Sequence, residues 1–266
     1  IPAALNGVVG FKPTARRVPL TGAFPLSGTL DSIGPLARTV SQCAAADAVM
    51  AGEAPNELAA IPLAGLRIGI PRGVLFGDIE GGVAAAFEHC LGRIEQAGAH
   101  IADLSIDDMI AEFRAATKRG SIAAMEGAEV HADWLAAGAP APVDPHVSGP
   151  LSRAALLPAP VYIRALRRRA ALVAAMDERL ASVDLLALPA TPVTAPTIAS
   201  MAEDAELRDR TEGLLLRNTQ VANQFDLCAI SLPMPGTALP AGLMLVARNG
   251  HDHRLLRIAA EVERLL

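Results

Sequence analysis

The side chains able to carry acid–base, nucleophilic or metal chemistry are spread along this sequence in a way that excludes several chemistries. The six histidines, His89, His100, His131, His146, His251 and His253, never form H-E-x-x-H or another spacing that sets a carboxylate base beside a metal. Cys43, Cys90 and Cys228 are too far apart for a ligand pair or a disulfide framework and read as small buried thiols. The two lysines, Lys12 and Lys118, follow Phe11 and Thr117 rather than a glycine-rich turn, so there is no phosphate cradle. Gly7, Gly10, Gly69, Gly73 and Gly77 fall short of the dinucleotide fingerprint and read as turn glycines. No G-x-S-x-G elbow occurs, although a serine site assembled from distant residues stays open. No metal site and no cofactor is expected.

The elements that must position any site are of mixed type. Residues 1–36 are dense in Gly and Pro and read as ordered loop around one or two short strands. Val40, Cys43, Ala44, Ala48 and Val49 predict a helix over 37–51. Leu66–Pro71 reads as a strand, a helix follows from Glu80 to Gly98 on Val83, Phe87, Leu91 and Ile94, and 100–106 alternates like a second strand. Strand, helix, strand in that order points to an α/β unit.

Residues 136–160 hold six prolines and are expected to form a long irregular excursion, a common site for a lid or substrate rim. A helix face of Tyr162, Leu166, Val173, Met176, Leu180 and Val183 follows, with Arg167 to Arg169 read as a solvated face. It feeds a buried strand over 183–188 and then the proline-stiffened loop 189–196. Functional groups collect past strand ends in such sheets, so this loop draws attention. A strand over 242–248 and a last helix capped by Asp252 close the chain.

The chain has 266 residues, 52% hydrophobic and 19% charged, with net charge −5, which describes a globular chain with a substantial core. No apolar run approaches the roughly 18 to 20 residues of a membrane span, and the first residues lack a signal peptide's basic flank. Beyond Arg167 to Arg169 there is no basic block, so neither nucleic acid nor membrane is an expected partner and a cytoplasmic location is expected.

Several segments resemble the amidase signature family of serine amidohydrolases. GVVGFKPTARRVPLTGAFPLSGTLDSIGPLARTV, from Gly7 to Val40, is similar to the family's G-x-V-G-F/L-K-P-S/T, F-P-L-S, L-D-x-I/V-G-P and A-R-S/T-V. VDLLALPATPVTAP, RNTQVANQFDLCAISLP and PAGLMLVARNGHD resemble its later segments. Ile1-Pro2-Ala3 resembles only the end of the signature, which places the family's nucleophilic serine three residues before Ile1 and the cis-Ser and Lys of its triad further upstream. Lys12 matches the separate F-K-P-T segment and is not the catalytic lysine. The resemblance therefore implies no catalytic residue within this chain.

What it implies for fold is an α/β/α sandwich around a mixed sheet, with residues 1–266 forming the C-terminal portion of a single amidase domain whose N-terminal part is missing. The implied activity is acyl transfer to a serine, releasing ammonia or an amine from a small carboxamide or urea-like substrate. The alternatives are an amidotransferase component that releases ammonia from glutamine and a noncatalytic truncated protein of amidase fold. A homodimer or a small adaptor subunit is compatible with the resemblance.

Asn223 to Ala229 departs from the family's N-x-x-G-x-P, and together with MEGAEVHADW this leans toward the carboxybiuret and allophanate hydrolase branch, whose substrates are acidic. By position, His131, Trp134, Thr191 and Asp226 are candidates for lining the substrate pocket, and Arg153 for facing a substrate carboxylate. Each pocket candidate has a bland alternative: Thr191 as turn former, Asp226 as cap or ion pair, His131 as surface, Trp134 as core. The chain by itself is expected to hydrolyse no amide and to be poorly soluble, because absent upstream strands would leave exposed sheet edges.

Overall fold

A computed structural model describes residues 1–136 and 143–266. In chain order the elements are α1 (Pro2–Asn6), β1 (Val9–Lys12), β2 (Leu36–Ala37), α2 (Val40–Met50), β3 (Arg67–Ile70), α3 (Gly81–Gln96), β4 (His100–Asp103), α4 (Asp107–Thr117), α5 (Ile122–Val130) and α6 (Ala132–Leu135). They continue with α7 (Pro145–Ala155), α8 (Ala159–Leu180), β5 (Leu185–Pro189), α9 (Ile198–Glu203), α10 (Ala205–Gln224), β6 (Cys228–Pro233), β7 (Gly242–Ala247) and α11 (Asp252–Leu265). The strands form one mixed sheet in the order β2-β1-β6-β7-β5-β3-β4. The β3 strand runs parallel to β4 and β5, whereas β7 is antiparallel to both β5 and β6.

Two cores cover the two faces of this sheet, which makes the molecule three-layered. On one face Phe11, Ile68, Ile70, Ile230 and Leu243 pack under α2, α3 and α11. On the other, Leu186, Leu188, Ala229 and Met244 pack under α4, α8 and α10. The central strands β5, β6 and β7 are buried almost throughout, which explains their unbroken apolar runs. The α3 helix turns Val83, Phe87, Leu91 and Ile94 inward as their spacing requires.

Several local expectations change in the structure. Residues 2–6 are helical rather than loop, with Pro2 at the first position, where its missing N–H has no partner to lose. Val49 is exposed and the charged Asp47 is buried instead, held by Arg17 at 2.8 Å. Residues 145–155 of the proline-rich excursion form α7, because Pro145 occupies the first helical position and Asp144 accepts a cap bond from His146 N at 2.8 Å. Residues 137–142 of that excursion lie outside the described residues. Asp252 is not a cap: His251 holds that position, and the buried Asp252 carboxylate accepts from Thr14 N at 2.7 Å.

The F-K-P-T segment is a staple. Lys12 Nζ donates to Pro13 O at 3.0 Å and Leu227 O at 2.9 Å, tying β1 to the start of β6. Thr14 Oγ1 accepts from Gly250 N at 2.8 Å, so the residues after β1 are also fastened to the approach to α11.

Candidate active site

The short α1 helix lies flat across the sheet. A side chain at Gly10 would place its Cβ 2.5 Å from that of Ala3, so only glycine lets α1 rest directly on β1. At the other end Gly7 meets Pro240, on the connection from β6 to β7. The first residues of α1 instead line a mostly apolar cavity of about 170 Å³ with Lys12, Leu36, Ala222 and Ser231. The hydroxyl of Ser231 is buried and has no hydrogen-bond partner among the described residues.

Around Lys12 and the turn before β6 the structure gathers opposite charges. Asp226 sits in the tight turn between α10 and β6 with φ of 55°, and Arg16 on the loop after β1 has φ of 69°; both are left-handed conformations that non-glycine residues adopt at a cost. Arg169 reaches in from α8 and donates to Asn223 O at 3.1 Å. Its Nε is buried and unbonded, leaving donor capacity unmet. Burial pulls the Arg169 guanidinium below its ordinary pKa, against the opposing fields of Asp226 and Glu126. Lys12 is likewise lowered by burial, with Cys228, Asp226 and Asp252 opposing. Arg169 is thus set apart from Arg167 and Arg168, which are exposed as the solvated-face reading expected.

Glu126, on α5, is the hub of the adjoining wall. It accepts from Ser27 Oγ, from Thr29 Oγ1, from Thr29 N at 3.0 Å and from Tyr162 OH at 2.6 Å. Burial alone would raise this carboxyl, yet the hydroxyl donors hold it below its usual range. Asp31 fixes the same loop by accepting from Leu26 N at 2.8 Å and Ser27 N at 3.0 Å. Tyr162 and Arg169, seven residues apart, share one stripe of α8, so one helix serves both the hub and the charged turn.

The sequence candidates are only partly brought together. Asp226 lies within the charged group. Thr191 does not: it follows Pro189, which pairs with Leu243, whereas Asp226 precedes Cys228, which pairs with Ala247, so the two lie at opposite ends of the central strands. Thr191 is fully buried with an unpartnered hydroxyl. Its loop is a brace, since Asn218 donates to Pro189 O at 2.8 Å and Glu80 accepts from Thr194 N at 3.0 Å. His131 and Trp134 do meet, with ring centroids 4.9 Å apart, and Phe24 stacks on both. His131 Nε2 donates to Pro25 O at 2.8 Å. Trp134 is 46% exposed, which removes it from the core. Arg153 is exposed on α7 with no ion-pair partner among the described residues, so the half-buried guanidinium is Arg169 instead.

Sequence reasoning missed Arg169 and Glu126. The first hid in an arginine run whose helical phase decides which member turns inward. The second stands about a hundred positions from its loop partners, although F-P-L-S and MEGAEVHADW contained Ser27 and Glu126.

The family model described as Amidase matches residues 1–256. The chain belongs to the amidase family. It is 32% identical over 273 residues to the 2-amino-5-chloromuconic acid deaminase of Comamonas testosteroni, covering 100% of this chain and 58% of that protein. It is 30% identical over 294 residues to the indoleacetamide hydrolase of Agrobacterium vitis, covering 100% of this chain and 60% of the relative. Its fold matches a crystal structure of an amidase with a TM-score of 0.84 at 28% identity, covering 100% of this chain and 60% of that one. The chain thus spans about three fifths of the length of these amidase relatives, and its mixed sheet and covering helices are those of the amidase fold.

Proposed function

We propose that the protein works as an amide-bond hydrolase on a small carboxamide or urea-like compound that carries a carboxylate. The observation that carries this reading is Arg169, a half-buried guanidinium with an unbonded Nε held at the end of α10 in the field of Asp226. In this reading the acyl-accepting serine and the rest of the triad belong to the part of the amidase length that this chain does not span. Residues 1–266 then form the C-terminal portion of one amidase domain, supply the wall that orients the substrate, and by themselves are inactive. Arg169 fixes the acid group, and α1 and the cavity over β1 and β6 set the depth of the amide. His131 and Trp134, with Phe24, form an aromatic rim.

The test compares ammonia release from two amides differing only in a carboxylate, using protein that carries the complete amidase length. Loss of a charge-assisted hydrogen bond of about 1.5–3 kcal/mol predicts that Arg169→Gln weakens kcat/KM for the acidic amide by roughly ten- to a hundredfold and leaves the neutral one unchanged. Equal losses on both would remove the assigned role.

A second reading is favoured by Asp226. A carboxylate set close to Arg169 pairs opposite charges as the ammonium and carboxylate of a free amino acid would, which suits glutamine as the ammonia donor of an amidotransferase. Glutaminase activity that rises on adding a partner protein would favour it.

A further inference from the structure

The outer side of α8 faces the end of α4 across an open groove of about 520 Å³. Lys118 and Arg119 stand on one wall, and Arg164, Arg167 and Arg168 on the other. Arg168 is already neutralised by Glu112. The other four have no ion pair and no side-chain hydrogen bond among the described residues, although most arginines of this chain have found a carboxylate or carbonyl. Val161 and Ala171 form a small apolar floor, and no aromatic side chain lines the groove for a base to stack on. Concentrating four unmatched cations in one concavity, in a chain of net charge −5, produces a local positive field opposite in sign to the rest of the molecule.

We propose that this groove is a binding site for a small polyanion, a molecule carrying two or more closely spaced phosphate or carboxylate groups. Cations on facing walls can grip such an anion from two sides, with the arginines supplying bidentate donors and Lys118 a point charge. The apolar floor accommodates a short linker between the anionic groups. Arg164 lies on the stripe of α8 opposite Tyr162 and Arg169, so the groove is separate from the candidate active site and does not depend on the amide reading.

Isothermal titration of protein that carries the complete amidase length with sodium tripolyphosphate tests the site, with orthophosphate and citrate as parallel arms. The expected result is one saturable site for tripolyphosphate and much weaker binding of orthophosphate. Citrate binding as tightly as tripolyphosphate would identify a carboxylate ligand and a preference for tripolyphosphate a phosphate one, and both support the site.

Losing about tenfold per arginine, the Arg164→Gln/Arg167→Gln variant should bind roughly a hundredfold more weakly, and Lys118→Gln on the other wall about tenfold. Arg153→Gln and Arg169→Gln should bind as the parent does. No saturable heat, or equal weakening by Arg153→Gln or Arg169→Gln, overturns the proposal. So does unchanged binding by the double variant with its far-ultraviolet dichroism intact.

Discussion

Glu126 concentrates four donors on one carboxylate, and its removal has a predictable pH signature. Because the hydroxyls of Ser27, Thr29 and Tyr162 keep its folded pKa below the ordinary 4.5, the carboxylate contributes stability that is fully present above pH 4.5. That contribution is lost as the pH falls through the folded value. Thermal unfolding of the parent and of Glu126→Gln should therefore differ most at neutral pH, and the gap should narrow steadily below pH 4.5; a gap independent of pH would contradict the assignment. None of this was visible in the sequence, because the donors stand 36 to 99 positions away and their side chains follow no period. Asp226 drew attention through its place in a family segment, whereas the inward turn of Arg169 depends on the phase of α8.

At the scale of elements, β5 and β7 were readable because a strand buried on both faces must be apolar along its whole length, whereas β6 was reached only through its likeness to a family segment. The α7 helix was not, since Pro145 starts it from the first position and it continues through Pro150, where an interior proline argues against a helix. Thr191 illustrates a related limit: a loop past a strand end draws attention from sequence alone, but the Asn218 and Glu80 contacts that anchor it leave no trace there. Two substitutions test the packing of α1 and β1. Lys12→Met would leave Pro13 O and Leu227 O without their donor and should cost about 1–3 kcal/mol in denaturant unfolding. Gly10→Ala drives a methyl against Ala3 and should cost roughly 1–3 kcal/mol through overpacking. Lifting α1 in this way should also lower activity in the complete amidase more than Lys12→Met does. Unchanged stability in either variant would show that the staple or the close approach is not needed.

At the scale of the molecule, the amidase fold is complete enough over these residues to form a seven-stranded sheet with both faces packed, while the chain spans about three fifths of its relatives' length. The 266-residue chain by itself should release no ammonia from simple amides and should be poorly soluble; ammonia release by a well-behaved monomer would contradict the division of labour proposed above. The central claim, that this part of an amidase selects an acidic amide through Arg169, is tested most directly by one ratio. It is kcat/KM for a carboxylate-bearing amide over that for its neutral analogue, measured in the complete protein with and without Arg169→Gln. The account predicts a ratio of about ten or more that falls to near one in the variant. A ratio near one in the parent, or a preference for the acid that survives the substitution, would contradict it.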